Sequence, residues 1–200
     1  MVILESDVAR AREYEFDHVM DSTDRSSLHY VGQERCYEMM AGGMVSHSLK
    51  GYSTCLFCYG QTGTGKTTTI LGRRRPESEQ GLLLRLVREL FQEASALSEQ
   101  GNQVHCSLQI VEVYNEKLRD LLSDGHPEVH VHPRLGVYLK HARDQPVSCA
   151  ASCLGLIEEA TARQTVACHA MNVRSSRGHT VYKRLDLQDA PNTIRIYVCT

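Results

Sequence analysis

Residues 54 to 72, Thr-Cys-Leu-Phe-Cys-Tyr-Gly-Gln-Thr-Gly-Thr-Gly-Lys-Thr-Thr-Thr-Ile-Leu-Gly, constrain the fold more than any other stretch. Gly60, Gly65, Lys66 and Thr67 satisfy the spacing G-x-x-x-x-G-K-[ST], with a third glycine at Gly63. Glycines so close together let the backbone curl until successive N–H groups point inward at a phosphate chain, since no Cβ blocks positive φ or close approach. In such a loop Lys66 reaches the β- and γ-phosphates as a point charge, and the Thr67 hydroxyl is a ligand of the bridging Mg²⁺. A helix starting near Lys66 adds its N-terminal dipole and free amides. Ahead of it, Thr54 to Tyr59 is apolar and aromatic and reads as a fully buried parallel strand. The competing reading is a glycine-rich turn with an exposed lysine, but the strand-loop-helix context makes nucleotide binding the expectation.

Two hundred residues with 42% hydrophobic content suffice for one sizeable core. The formal charge of −2, with acids and bases intermixed, leaves no polybasic face for nucleic acid or lipid. The eight cysteines are scattered, several among apolar neighbours, as buried free thiols in a reducing compartment would be. Cys55 and Cys58 form a C-x-x-C inside the strand feeding the loop, where a redox or zinc role is not expected. No apolar run approaches the roughly 18 residues of a membrane span, and residues 1–13 are short of pattern.

Along the chain, Tyr14 to Val19 alternates like a half-buried strand. Residues 27–49 carry apolar positions at helical spacing, interrupted by Gly42-Gly43, so one helix or two short ones are expected, ending at Gly51. Arg73-Arg74-Arg75 and the residues to Gln80 read as a solvated loop. Leu82 to Leu97 is an amphipathic helix with Leu83, Leu86, Val87, Leu90, Ala94 and Leu97 on one face. Val104 to Tyr114 is a long strand, Asn115 to Leu122 a short helix, and Val129 to Leu139 a hairpin. His126, His130, His132 and His141 match no metal-ligand spacing and are expected at the surface. Residues 152–165 form a second amphipathic helix, and 180–187 and 193–199 two further strands.

Between the last helix and those strands lies Asn172-Val-Arg-Ser175-Ser176-Arg177-Gly178-His179. A phosphate loop holds a nucleotide, while hydrolysis needs further donors for the attacking water and the developing charge. Ser175 and Ser176 could offer hydroxyls to the γ-phosphate, Mg²⁺ or water, and Arg177 could pair with a carboxylate. The same residues equally suit a hydroxyl-rich surface turn.

Several motifs occur together: Tyr14-x-Phe16-Asp17-x-Val19, Gly51-Tyr52, Tyr59 to Thr67, Glu112-Val-Tyr114-Asn115-Glu116-x-Leu118-x-Asp120-Leu121-Leu122, Gly136-Val-Tyr138 and Met171-Asn172-x-x-Ser175-Ser176-Arg177-x-His179. In this order they resemble the kinesin motor domain over residues 14–200. The resemblance implies an α/β P-loop NTPase fold, a central mostly parallel sheet with helices on both faces, truncated at both ends. It implies an ATPase moving along microtubules, in the cytoplasm and its cytoskeleton, with ATP and Mg²⁺ as cofactors. By similarity, Gly60, Gln61, Thr62, Gly63, Thr64, Gly65, Lys66 and Thr67 bind the phosphates. Asn172 to His179 is the switch loop sensing the γ-phosphate, with Ser176 near Mg²⁺ and the water, Ser175 beside it, and Arg177 paired to a glutamate of a second switch. Arg134, Lys140, His141 and Arg143 belong to a hairpin making a secondary contact with acidic tubulin.

The sequence also departs from that family. The first strand, which carries the adenine-stacking motif, is expected before Tyr14 and is not recognisable there. The second switch and the main track-binding helices are absent from these residues. Gly178 stands where serine is usual, and Gln164, His169 and Leu84 replace arginine, threonine and proline. The expectation is weak Mg·nucleotide binding and slow or no turnover for this chain alone. A nucleotide-binding module that acts as a regulatory partner is the alternative to a motor, and a small-molecule kinase a third reading that leaves the switch motif without a role. Homo-oligomerisation would rest on segments outside these residues.

Overall fold

The computed structural model describes residues 13–133, 136–170, 178–183 and 196–199, with the side chains of residues 166–170 and 183 left aside. Helix α1 (Gln33–Met40) and helix α2 (Met44–Leu49) are separate, because Gly43 adopts φ 88° between them. Strand β1 (Thr54–Phe57) leads into the glycine loop and helix α3 (Lys66–Ile70). Helix α4 (Leu82–Glu99) follows, then β2 (Cys106–Tyr114), β3 (Lys117–Asp120), β4 (Glu128–His132), β5 (Gly136–Lys140) and β6 (Gln145–Val147). Helix α5 (Ala150–Ala170), β7 (Gly178–Lys183) and β8 (Ile196–Cys199) complete the described chain.

Six strands form one sheet in the order β1-β8-β7-β2-β3, with β6 also pairing β2. The α/β class holds, but the strands are not mostly parallel: among the described residues only β1 and β8 pair parallel, and every other pairing is antiparallel. The cause is local for β2 and β3, whose two-residue connection can join only antiparallel strands. Register sorts the side chains into two faces. Leu56, Ile196, Val198, Tyr182, Ile110 and Leu108 share one face and join the buried cluster with Leu83, Leu86, Leu90 and Ile157. Helix α4 touches α1, α2, α3 and α5, and its apolar side packs in the cluster on that face.

The opposite face carries Cys55 and Phe57, both exposed, and the half-buried Tyr197, Cys199, Val181 and Val113. The expectation that Thr54 to Tyr59 is fully buried therefore fails: among the described residues β1 lies at the end of the sheet and only its Leu56 is buried, while Phe57 is 68% and Tyr59 96% exposed. Residues Tyr14 to Val19 form no strand, and Tyr14 and Phe16 lie exposed.

Asn115 to Leu122 is not a helix. Asn115 (φ 47°) and Glu116 (φ 62°) are both left-handed, and Tyr114 pairs with Lys117 across them. This is the geometry of a primed two-residue hairpin, which matches the twist of its strands. Leu118, Leu121 and Leu122 have helical spacing by coincidence; Asp120, 1% exposed, instead ends β3 by accepting bonds from the Leu122 amide (2.8 Å), the Ser123 hydroxyl (2.7 Å) and the Arg143 amide (2.7 Å). The expected hairpin over Val129 to Leu139 is present as β4 and β5, paired apart from the main sheet. The helices over residues 82–97 and 152–165 are present and somewhat longer than the periodicity shows.

Candidate functional site

Strand direction decides which groups can meet. Phe57, at the carboxyl end of β1, pairs with Cys199, and Cys199 pairs with Val181. Because β7 runs antiparallel to β8, its first residue, Gly178, lies at the same end of the sheet as the glycine loop. Gly178 also pairs with Tyr114, so the carboxyl end of β2 arrives there too. Topology thus gathers the phosphate loop, the chain leaving residues 171–177 and the Tyr114-Asn115-Glu116 turn at one sheet end. Asn172, Ser175, Ser176 and Arg177 themselves lie outside the described residues, as does Arg134.

Within the loop, Gly63 (φ 87°) and Gly65 (φ 94°) are left-handed, and a Cβ on either would project into open space. These glycines are needed for backbone shape, since non-glycine residues rarely adopt that region. Gly60 is needed for close approach: its Cβ would stand 2.6 Å from the Thr64 hydroxyl, which donates to the Gln61 carbonyl at 2.8 Å. Lys66 Nζ donates to the carbonyls of Gly60 (2.7 Å) and Gln61 (2.9 Å), drawing the loop around its own lysine. The amides of Gly63, Gly65, Lys66 and Thr67 donate to no carbonyl among the described residues, and the Thr67 residue is exposed.

This donor set fits a polyphosphate with a divalent cation. It offers unpaired amides, a lysine that can exchange carbonyl partners for phosphate oxygens, and a hydroxyl at the helix start. Gln61, Thr62 and Thr64 are exposed loop residues that contribute backbone. Just before the loop, the Cys58 amide donates to the Cys199 carbonyl at 3.2 Å, tying loop and sheet edge together. Burial pushes the Cys58 thiol pKa up, helped by the Cys36 thiol and opposed by Lys66. That environment suits a packing thiol rather than a nucleophile.

Three supports were not legible in the sequence. Gln33 Nε2 donates to the Thr68 carbonyl at 2.6 Å, bracing α3 from α1. The loop between α3 and α4 closes on itself, with the Gly81 amide on the Leu71 carbonyl at 3.0 Å and the Arg73 amide on the Glu79 carbonyl at 2.8 Å. A Cβ on Gly81 would meet the Ile70 carbonyl oxygen at 2.4 Å, so this neck is passable only to glycine. The arginine run is exposed, as expected, yet Arg74 pairs with Glu158 of α5 at 2.8 Å. The third support is Gln164, whose Nε2 donates to Glu112 Oε1 and to Thr180 Oγ1, each at 3.0 Å.

The expected surface histidines are exposed or half-buried, and no group of three or more metal-ligating side chains occurs among the described residues. Cys106 and Cys153 are buried and outside any disulfide, while Cys55 and Cys149 are exposed. No helix among the described residues is long and apolar enough to cross a membrane.

The profile of the kinesin motor domain matches residues 3–193. The kinesin-like protein unc-104 of Caenorhabditis elegans is 34% identical over 172 residues, covering 84% of this chain and 11% of that protein. Human kinesin-like protein KIF1C is 34% identical over 177 residues, covering 86% of this chain and 16% of that protein. A solved structure of a KIF14 dimer, in a two-heads-bound state with AMP-PNP and in complex with a microtubule, superposes with a TM-score of 0.81 at 27% identity. It covers 99% of this chain and 58% of the KIF14 chain. The chain therefore spans a small part of the length of these relatives and little more than half of the solved chain.

Proposed function

Since the chain belongs to the kinesin motor-domain family, we propose that it forms the nucleotide-binding part of an ATP-hydrolysing microtubule motor. The observation that carries this reading is the loop geometry: left-handed Gly63 and Gly65, unpaired amides, and Lys66 held over the loop by two carbonyls. ATP with Mg²⁺ is the fitting ligand. Bound there, the cation neutralises phosphate charge, and the chain's own residues supply the rest. Lys66 exchanges its carbonyl partners for phosphate oxygens, and the amides from Gly63 to Thr67 orient the chain of phosphates. The Thr67 hydroxyl would hold the metal ion, with the Ser176 hydroxyl as a further ligand. Ser175 and Asn172 supply further donors for phosphate or water, and Arg177 a guanidinium for a carboxylate.

The partner is the microtubule, supported by the KIF14 complex and by the exposed Lys140 and His141 at the end of the β4–β5 hairpin. Arg143, placed with them on sequence, is engaged otherwise: its guanidinium donates to the Leu122 carbonyl at 3.1 Å and to Gln145 at 3.0 Å. The place of action is the cytoplasmic microtubule cytoskeleton.

The test is steady-state ATP hydrolysis by the full protein with and without microtubules. Stimulation by microtubules, lost in Lys66→Ala by a factor of about 100 or more, is the expected result, because the substitution removes a charged donor from the developing phosphate charge. Tight nucleotide binding without turnover, unaffected by microtubules, would replace the motor with a regulatory nucleotide-binding module.

A further inference from the structure

Glu112 is a buried carboxylate that the nucleotide chemistry does not use. It is 8% exposed, on β2, and faces α5 and β7. The cation opposite it in register, Arg119 on β3, makes no ion pair with it among the described residues. Its recorded partner is neutral: Gln164, one and a half turns before the end of α5, donates one bond to Glu112 Oε1 and a second to the hydroxyl of Thr180, itself 2% exposed. A buried carboxylate demands such donors, since an unmet charge of this kind is costly.

The position of these bonds gives them a second consequence. The chain leaves α5 at Ala170 and re-enters the sheet at Gly178. Gln164 lies on the first element and Thr180 on the second, so a single carboxamide joins the two anchors of residues 171–177. Gly178 completes the arrangement. A Cβ there would stand 2.9 Å from Glu112 Oε1, the same oxygen that Gln164 holds. Gly178 is already within strand β7, so glycine serves here as room for the carboxylate rather than as the source of a loosened backbone. No sequence signal marks the pair, which is 52 residues apart.

We propose that Gln164 is a positioning residue: through Glu112 and Thr180 it fixes α5 against β7, the strand whose first residue, Gly178, lies at the phosphate-loop end of the sheet. The proposal rests on the nucleotide-hydrolysing reading above, and acts on the step that needs the γ-phosphate rather than on the phosphate loop. A carboxamide that meets a buried carboxylate and a buried hydroxyl at once holds its two elements in one relative position, since leaving either group unmet is costly.

The test compares Gln164→Leu, which keeps the bulk and removes both donors, with Gln164→Arg, which can still donate to Glu112 and Thr180. In the full protein, Gln164→Leu is expected to lower kcat for ATP about tenfold while leaving ADP affinity within about twofold, and Gln164→Arg to recover most of that loss. Hydrogen exchange at amides 178–180 should quicken in Gln164→Leu and not in Gln164→Arg. Equal loss of ADP and ATP affinity, or no recovery with arginine, would reduce Gln164 to a packing residue and overturn the proposal. If the unsubstituted protein does not hydrolyse ATP, the functional reading fails by itself; the exchange comparison still decides the staple, and unchanged exchange in Gln164→Leu would overturn it.

Discussion

Cys149 and Cys153 are four residues apart at the start of α5 and differ in every property that governs a thiol. Cys149 is exposed, and hydrogen bonds with the Ser152 backbone and side chain hold its pKa below the usual thiol value. Cys153 is buried against the sheet, and burial pushes its pKa up to about 12. Only the thiolate reacts, so the sign is clear: at neutral pH Cys149 carries the larger thiolate fraction and the freer approach. Maleimide labelling of the native protein followed by peptide mass spectrometry should find Cys149 modified at least about tenfold faster than Cys153. Labelling at equal rates would show that α5 does not pack as described. The sequence shows eight cysteines but not this difference, since burial belongs to neighbours that the chain supplies from elsewhere. The glycines of the phosphate loop are the contrary case, because the backbone itself demands them at Gly63 and Gly65.

At the scale of elements, long periodic segments were legible and short ones were not. Helix α4 repeats its apolar face over 18 residues, and Leu82, Leu83, Leu86, Val87, Leu90, Phe91 and Ala94 are all buried. Strand β3 offers four residues after a turn of two left-handed non-glycine residues, and three leucines nearby at helical spacing outweigh so short a signal. Asp120 is what settles that region, and its role is testable. Replacing it with alanine strands two buried or half-buried amides and a hydroxyl, from β3's own end and from the connection into β6. Asp120→Ala should lower the unfolding free energy by about 2–4 kcal/mol in urea titration, as lost buried hydrogen bonds to a charged group do. A change below about 0.5 kcal/mol would mean that the β3 to β6 region is held by its leucines alone. The β1 strand teaches a related lesson: its apolar letters describe a strand correctly, but only its register in the sheet, which turns Phe57 to the face opposite Leu56, decides that Phe57 is exposed.

For the whole molecule, the two faces of the sheet are unequal. One is covered by the layer of helices, while the other presents Cys55 and Phe57 beside the half-buried Tyr197, Cys199 and Val181. Tyr52 and Tyr59, 64% and 96% exposed, flank the same strand. Contiguous apolar surface of this kind drives association in an isolated chain. The 200-residue chain prepared alone should bind the dye ANS and elute from size exclusion as a concentration-dependent mixture, and Phe57→Lys should reduce both. A monodisperse monomer with no dye response would show that this face is covered. Sequence reading could identify the family from spaced motifs, because those motifs are separated by fixed lengths of chain. It could not see that Cys55 and Phe57 stand exposed on the face opposite the described helices, because that is a property of the assembled sheet.

The two carbonyl bonds of Lys66 have a kinetic consequence. A loop already drawn around an ammonium group has its curvature in place before any phosphate arrives. Capture then proceeds by exchange of one set of oxygens for another, without a prior folding event. The association rate should accordingly report diffusion and electrostatic guidance, and the residence time should report how well the incoming oxygens outcompete Gly60 and Gln61.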